Sequence, residues 1–126
     1  GSILTEEDIL KHFEALCNSV NIPVHCYNNP RTTGFNISPD FFSNLISVGL
    51  SGIKDGSGEV ERLTKMLDVA KKENVDYIAG STSLMFLSVI GGADGCVSGV
   101  ALVAPGLLID FYRACSEKRV DDAMVL

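Results

Sequence analysis

The chain has 126 residues, 46 % of them hydrophobic, enough apolar mass for a core, and reads as one globular unit or a piece of a larger one rather than a disordered segment. Ten Lys+Arg against sixteen Asp+Glu give a net charge of −6 that is spread along the chain, which argues against nucleic acid as a partner. The longest apolar runs, Leu84 to Ile90 and Val100 to Ile109, are interrupted by Ser, Gly, Pro or Asp before reaching the roughly 20 residues that span a bilayer, so no membrane segment is expected.

Gly1-Ser2 reads as a cloning scar and is set aside, leaving a single domain over residues 3–126; no charged and apolar leader follows, and no secretion is expected. Thr5 with Asp8 three residues on forms a capping-box start, and Ile9, Leu10, Phe13, Leu16, Cys17 and Val20 recur at helical spacing, predicting a helix with one apolar face. The run Ile22-Pro23-Val24-His25-Cys26 is strand-like, ends in Tyr27, and leads through Asn28-Asn29-Pro30 into a loop containing Thr33 and Gly34. Ser38-Pro39 supplies an N-cap and a first-turn proline for a helix carrying Phe41, Phe42, Leu45 and Ile46, with Gly49 as its break.

The next strand, from Leu50 to Lys54, meets the turn Gly56-Ser57-Gly58 and a helix from about Glu59 to Glu73 that buries Val60, Leu63, Met66, Leu67 and Ala70, with Asn74 as its C-terminal cap. A third strand, Asp76 to Ala79, runs into Gly80-Ser81-Thr82-Ser83 and the apolar helix Leu84 to Ile90, closed by Gly91-Gly92. A fourth, near Gly95 to Ser98, leads through Pro105 into a helix with Leu107, Leu108, Phe111, Tyr112 and Cys115. Strand, polar loop and helix thus repeat four times, with apolar strands that suit a parallel sheet covered by helices, an α/β protein.

The candidate reactive residues fall just after the strands, at the rim where parallel α/β sheets keep their sites. A lysine ending an apolar strand is costly as an ammonium, so its pKa is expected to fall, leaving a neutral amine able to attack a ketone. Lys54 is that lysine, and Tyr27 ends the preceding strand as a second reactive side chain. Taken singly, Lys54 reads rather as a surface lysine at a strand end and Tyr27 as a capping aromatic. Cys17, Cys26, Cys96 and Cys115 lie far apart within apolar patterns, without zinc-ligand spacing, and read as reduced core thiols of a cytosolic protein with no metal. His12 and His25 read as structural histidines, His25 sharing strand parity with Tyr27.

The stretches Tyr27-Asn28-Asn29-Pro30-Arg31-Thr32-Thr33-Gly34, Gly52-Ile53-Lys54-Asp55-Gly56-Ser57-Gly58 and Gly92-Ala93-Asp94-Gly95-Cys96-Val97-Ser98-Gly99 closely resemble, in order and spacing, the last four strand-helix units of the dihydrodipicolinate synthase and N-acetylneuraminate lyase family. The resemblance implies four consecutive βα units of a (β/α)8 TIM barrel, a half-barrel fragment of a class I aldolase. It makes Lys54 the Schiff-base lysine for a pyruvate-type 2-oxo acid and Tyr27 the proton relay, with no cofactor. It places Thr33 and Gly34 in the loop beneath the substrate, and Gly80 and Ser98 on the rim, as substrate-binding positions. The family's first four strands, with the hydroxyl pair that grips the pyruvate carboxylate, have no counterpart in this sequence.

Two positions depart from the family's pattern. Thr32 stands where dihydrodipicolinate synthases carry an arginine, with Arg31 one residue earlier, and Ser81-Thr82-Ser83 stands where sialic acid lyases carry an acidic pair. Both departures point away from those two substrates and toward another 2-oxo acid, such as a 2-keto-3-deoxy sugar acid. Four parallel strands would carry two unpaired edges, so a homo-oligomer or a complementary half-barrel is expected as partner. The alternative is a non-catalytic half-barrel acting as a binding or assembly module.

Overall fold

The computed structural model describes residues 4–126; the scar expected at Gly1-Ser2 and the domain start expected at residue 3 lie outside the described residues. Helix α1 (Glu6–Ser19) begins at the expected capping box, in which Thr5 and Asp8 bond reciprocally. Strand β1 (His25–Asn28) follows, then a one-turn helix α2 (Pro30–Thr33), then α3 (Pro39–Ser47), capped by the Ser38 hydroxyl on the Phe41 N–H. Strand β2 (Gly52–Asp55), helix α4 (Val60–Glu73) and strand β3 (Asp76–Ala79) come next. A 3-10 turn (Thr82–Leu84) opens α5 (Met85–Ile90), followed by the two-residue strand β4 (Gly95–Cys96), a second 3-10 turn (Gly99–Leu102), α6 (Pro105–Ser116) and α7 (Val120–Met124).

The four strands form one sheet, all parallel, in the order β1-β2-β3-β4, each joined to the next through a helix. Sequential order with helical crossovers is the (β/α)8 pattern, of which this chain holds four consecutive units. The main core lies on the helix side of the sheet, where Cys26, Ile53 and Tyr77 meet Phe41, Phe42, Leu45, Leu63 and Met66. A smaller core joins α5, α6 and α7 through Met85, Val89, Ala114, Cys115 and Ala123.

Several expectations are corrected. The strands are not continuously apolar: β1 alternates exposed and buried positions, because its helix side is covered and its other side is open. The loop after Pro30 is helix α2, since Pro30 presets the helical φ at the first position and Gly34, at φ 69°, closes the turn with its N–H on the Pro30 carbonyl. Val60 is 52 % exposed, because it opens α4 on the side facing away from the sheet, while Leu63, Met66, Leu67 and Ala70 are buried as expected. α1 buries no residue completely, Leu16 included, because it packs chiefly on α3. β4 stops at Cys96, and Ser98 instead caps the 3-10 turn that follows.

Candidate active site

In parallel strands, side chains in register point to the same side, so pairing decides which residues share a face. The register aligns Tyr27 with Lys54, Lys54 with Ile78, and Ile78 with Gly95, in one row across the open face near the C-terminal strand ends. The Lys54 Nζ sits over the Tyr27 ring, 3.9 Å from its centroid. A cation over an aromatic face contributes ~0.5–1 kcal/mol at an exposed site. The strand was expected to bury Lys54 among apolar groups. Instead Lys54 is half-buried and Tyr27 is 50 % exposed, because none of the described helices covers the open face on which they stand.

Two glycines make room for this pair. A side chain at Gly56 would meet the Tyr27 ring at 3.1 Å and its hydroxyl at 3.4 Å, so the phenol lies directly against the backbone that follows Lys54. A side chain at Gly80 would approach the Asp55 carbonyl oxygen at 3.0 Å, and the Gly80 N–H donates to that same oxygen. Gly80 is therefore placed beside the end of β2, its smallness required by the backbone of the lysine's own strand.

The remaining expected positions spread along the rim. The Thr33 hydroxyl bonds the Asn29 and Phe35 carbonyls and stabilises the end of α2, where Gly34 terminates it; Thr33 and Tyr27 line the same cleft. Ser98 shares a hydrogen bond of 3.0 Å with Thr82, tying the loop after β4 to the loop after β3, while Ser81 and Ser83 bond each other at 3.0 Å. Arg31 and Thr32 are exposed on α2.

Behind the row, on the helix side, lies a polar cluster that reasoning from the motifs missed. Asp55, 6 % exposed, accepts the Asn28 side-chain amide at 2.9 Å, the Ser57 N–H at 3.0 Å and the Tyr77 hydroxyl at 3.0 Å. Strand parity was the available signal: Asp55 shares its side with Ile53, so a strand placing Ile53 in the core must bury the carboxylate too. Burial, then the charge and hydrogen bond of Asp55, push the Tyr77 phenol well above its ordinary range, so it stays a proton donor. Burial pushes the Cys26 thiol up to about 12, and those of Cys96 and Cys115 upward, which keeps them protonated and weakly nucleophilic. All four cysteines are free. At the opposite strand ends His25 reaches across Gly52 to Asp76, its Nε2 2.8 Å from the carboxylate, a structural role in line with its expected one.

A sequential parallel βα sheet of four units, with Tyr27 and Lys54 at its C-terminal rim, is the pattern of part of a (β/α)8 barrel. The sequence model of the Dihydrodipicolinate synthetase family matches residues 3–126, and the chain belongs to that family. It is 32 % identical over 119 residues to the 4-hydroxy-tetrahydrodipicolinate synthase of Methanosphaerula palustris, covering 94 % of this chain and 40 % of the relative. Among solved structures it superposes on the dihydrodipicolinate synthase of Acinetobacter baumannii complexed with pyruvate, at a TM-score of 0.89 and 27 % identity, covering 97 % of this chain and 42 % of that one. A prophage protein of the family from E. coli K12, also in complex with pyruvate, matches at a TM-score of 0.87 and 26 % identity, with 98 % and 43 % covered. The chain thus spans about two fifths of the length of these relatives.

Proposed function

We propose that this chain is the catalytic half of a lyase that acts on a pyruvate-type 2-oxo acid through a Schiff base on Lys54. The observation that carries the reading is the Lys54 amine held over the Tyr27 ring on the open rim. A protonated imine draws electrons from the adjacent carbon, so a proton there can leave and a carbon–carbon bond can form or break. Tyr27, adjacent to the amine, is the group that moves that proton. Two relatives with the same fold are described with pyruvate, which supports the substrate class. Thr33, Gly34, Gly80 and Ser98 form the surrounding wall in this reading, and Thr32 and Ser81 to Ser83, in place of an arginine and of an acidic pair, favour another 2-oxo acid, such as a 2-keto-3-deoxy sugar acid, over the substrates of dihydrodipicolinate synthases and sialic acid lyases.

The chain is to be incubated with pyruvate, reduced with borohydride and digested. One pyruvate-derived mass increment is expected on the peptide containing Lys54, and none in Lys54→Ala. An increment on Lys65, Lys71 or Lys72 instead, with Lys54 unmodified, would remove the Schiff-base assignment.

Assembly belongs to the same reading. Strands β1 and β4 each pair on one side only, and α1 stands off β1 across a largely apolar cleft of 410 Å³ lined by Ile9, Phe13, Cys26, Phe35 and Ile37. Beyond β4, Leu102 and Val103 are 89 % and 85 % exposed. Open edges and bare apolar groups favour association, so a second half-barrel, either another copy or a complementary half, closes the sheet. Light scattering is expected to show at least a dimer of the isolated chain. A cooperatively unfolding monomer would count against closure by a second copy.

A further inference from the structure

We propose that Asp55 is a positioning residue for Lys54 and Tyr27, holding the ends of β1, β2 and β3 together so that the amine stays over the phenol. The inference rests on the Schiff-base reading of Lys54. Tyr27 and Lys54 are the last register pair but one of β1 and β2, and the last pair is Asn28 with Asp55. Strand ends fray unless tied; the backbone ladder closes here with the Gly56 N–H on the Asn28 carbonyl at 2.8 Å and the Gly80 N–H on the Asp55 carbonyl at 2.9 Å, and past these bonds the chains part. Asn28, 1 % exposed, donates to Asp55 Oδ1 at 2.9 Å and to Asn36 Oδ1 at 3.0 Å, and its own oxygen accepts the Ile37 N–H at 3.0 Å. Tyr77, 3 % exposed, reaches Asp55 from β3. One carboxylate therefore joins three strands one residue past the reacting pair.

Its chemistry argues for more than packing. None of the ion pairs among the described residues involves Asp55: its direct partners are three neutral donors, and the Arg62 guanidinium reaches the cluster only through Asn36 and through its field on Tyr77. Apolar side chains could fill the same space at lower desolvation cost. What a carboxylate adds is direction: each bond fixes a distance and an angle, and the network sets one geometry for the strand ends. A misplacement of about 1 Å at a reacting pair can slow chemistry by roughly 10²-fold, so such a tie has a kinetic consequence.

The test uses the intact chain and two readouts: the ring-current shift that the Tyr27 face imposes on the Lys54 side-chain protons, followed by NMR with labelled lysine, and the rate of pyruvate capture at Lys54. Asp55→Leu keeps about the same bulk but removes every acceptor for Asn28, Ser57 and Tyr77. It is expected to lose the ring-current shift and to slow capture by up to about 10²-fold, while still unfolding cooperatively. The conservative variant Asp55→Asn keeps an acceptor at the Oδ1 position for the Asn28 amide and the Ser57 N–H and can donate to the Tyr77 oxygen, and is expected to retain most of both signals. Loss in the leucine variant beside retention in the asparagine variant separates positioning from a loss of bulk stability. A folded Asp55→Leu chain with both readouts at wild-type values overturns the proposal. If Asp55→Leu does not fold, Tyr77→Phe, which removes one donor only, takes its place: a weakened shift supports the proposal, and unchanged readouts overturn it. A wild-type chain that captures no pyruvate refutes the Schiff-base reading instead, and the ring-current comparison then decides whether Asp55 orients the pair.

Discussion

Tyr27→Phe is expected to leave borohydride capture of pyruvate at Lys54 measurable while slowing exchange of the pyruvate methyl protons with deuterated solvent by roughly 10² to 10⁴, the range of a lost general acid/base. The reason lies in what the substitution keeps. Phenylalanine preserves the aromatic face over which the Lys54 Nζ sits at 3.9 Å, so the amine remains in place to form the imine. It removes only the hydroxyl, the group available to take the proton from the carbon beside the imine. Exchange requires that proton transfer and no second substrate, which isolates the step. The measurement is proton NMR of pyruvate in deuterated buffer, on the assembly in which the wild-type chain catalyses exchange. Equal exchange rates in Tyr27→Phe and wild type would exclude Tyr27 as the proton carrier.

Gly52→Ala is expected to cost about 3 kcal/mol, the upper part of the range for overpacking, and to lower the thermal midpoint by on the order of 10 °C. A β-carbon at Gly52 would lie 2.5 Å from His25 Cδ2, 2.7 Å from its Nε2 and 2.7 Å from the Asp76 carbonyl oxygen. The histidine ring lies across Gly52 because it bridges β1 to Asp76 on β3, so the methyl must break that 2.8 Å bond or spread the strands. The carbonyl cannot yield cheaply, since the strand is held beside it by the Asp76 N–H on the Ser51 oxygen at 3.0 Å. Differential scanning calorimetry tests this. His25→Ala combined with Gly52→Ala should recover part of the loss, because it removes the ring and leaves only the carbonyl contact. A single Gly52→Ala variant that melts at the wild-type temperature would show that the His25 bridge and the strand spacing adapt freely.

The order of elements was legible in the sequence because its signals are local. Thr5 with Asp8, Ser38 with Pro39 and Asn74 satisfy backbone groups a few residues away, so capping chemistry marks helix ends without reference to anything distant. The lysine and the tyrosine were legible for a related reason: each stands one residue before the end of a short strand, and parallel strands set side by side bring their ends to one rim. The register that places Lys54 over Tyr27 follows from pairing across 27 positions of chain, as does the bond between Asn28 and Asp55.

What the sequence by itself determined is the α/β class, the four strand-helix units and the two rim residues, because periodicity and capping act over a few residues. Only the tertiary structure decided burial. It left Val60, Leu16 and Lys54 more exposed than their patterns imply and drove Asp55 into the interior, since burial depends on which elements pack on a face and which faces stay uncovered. A carboxylate in a strand carries no local mark of being buried; its donors come from β1, β3 and the turn at Ser57, and only folding brings them to it.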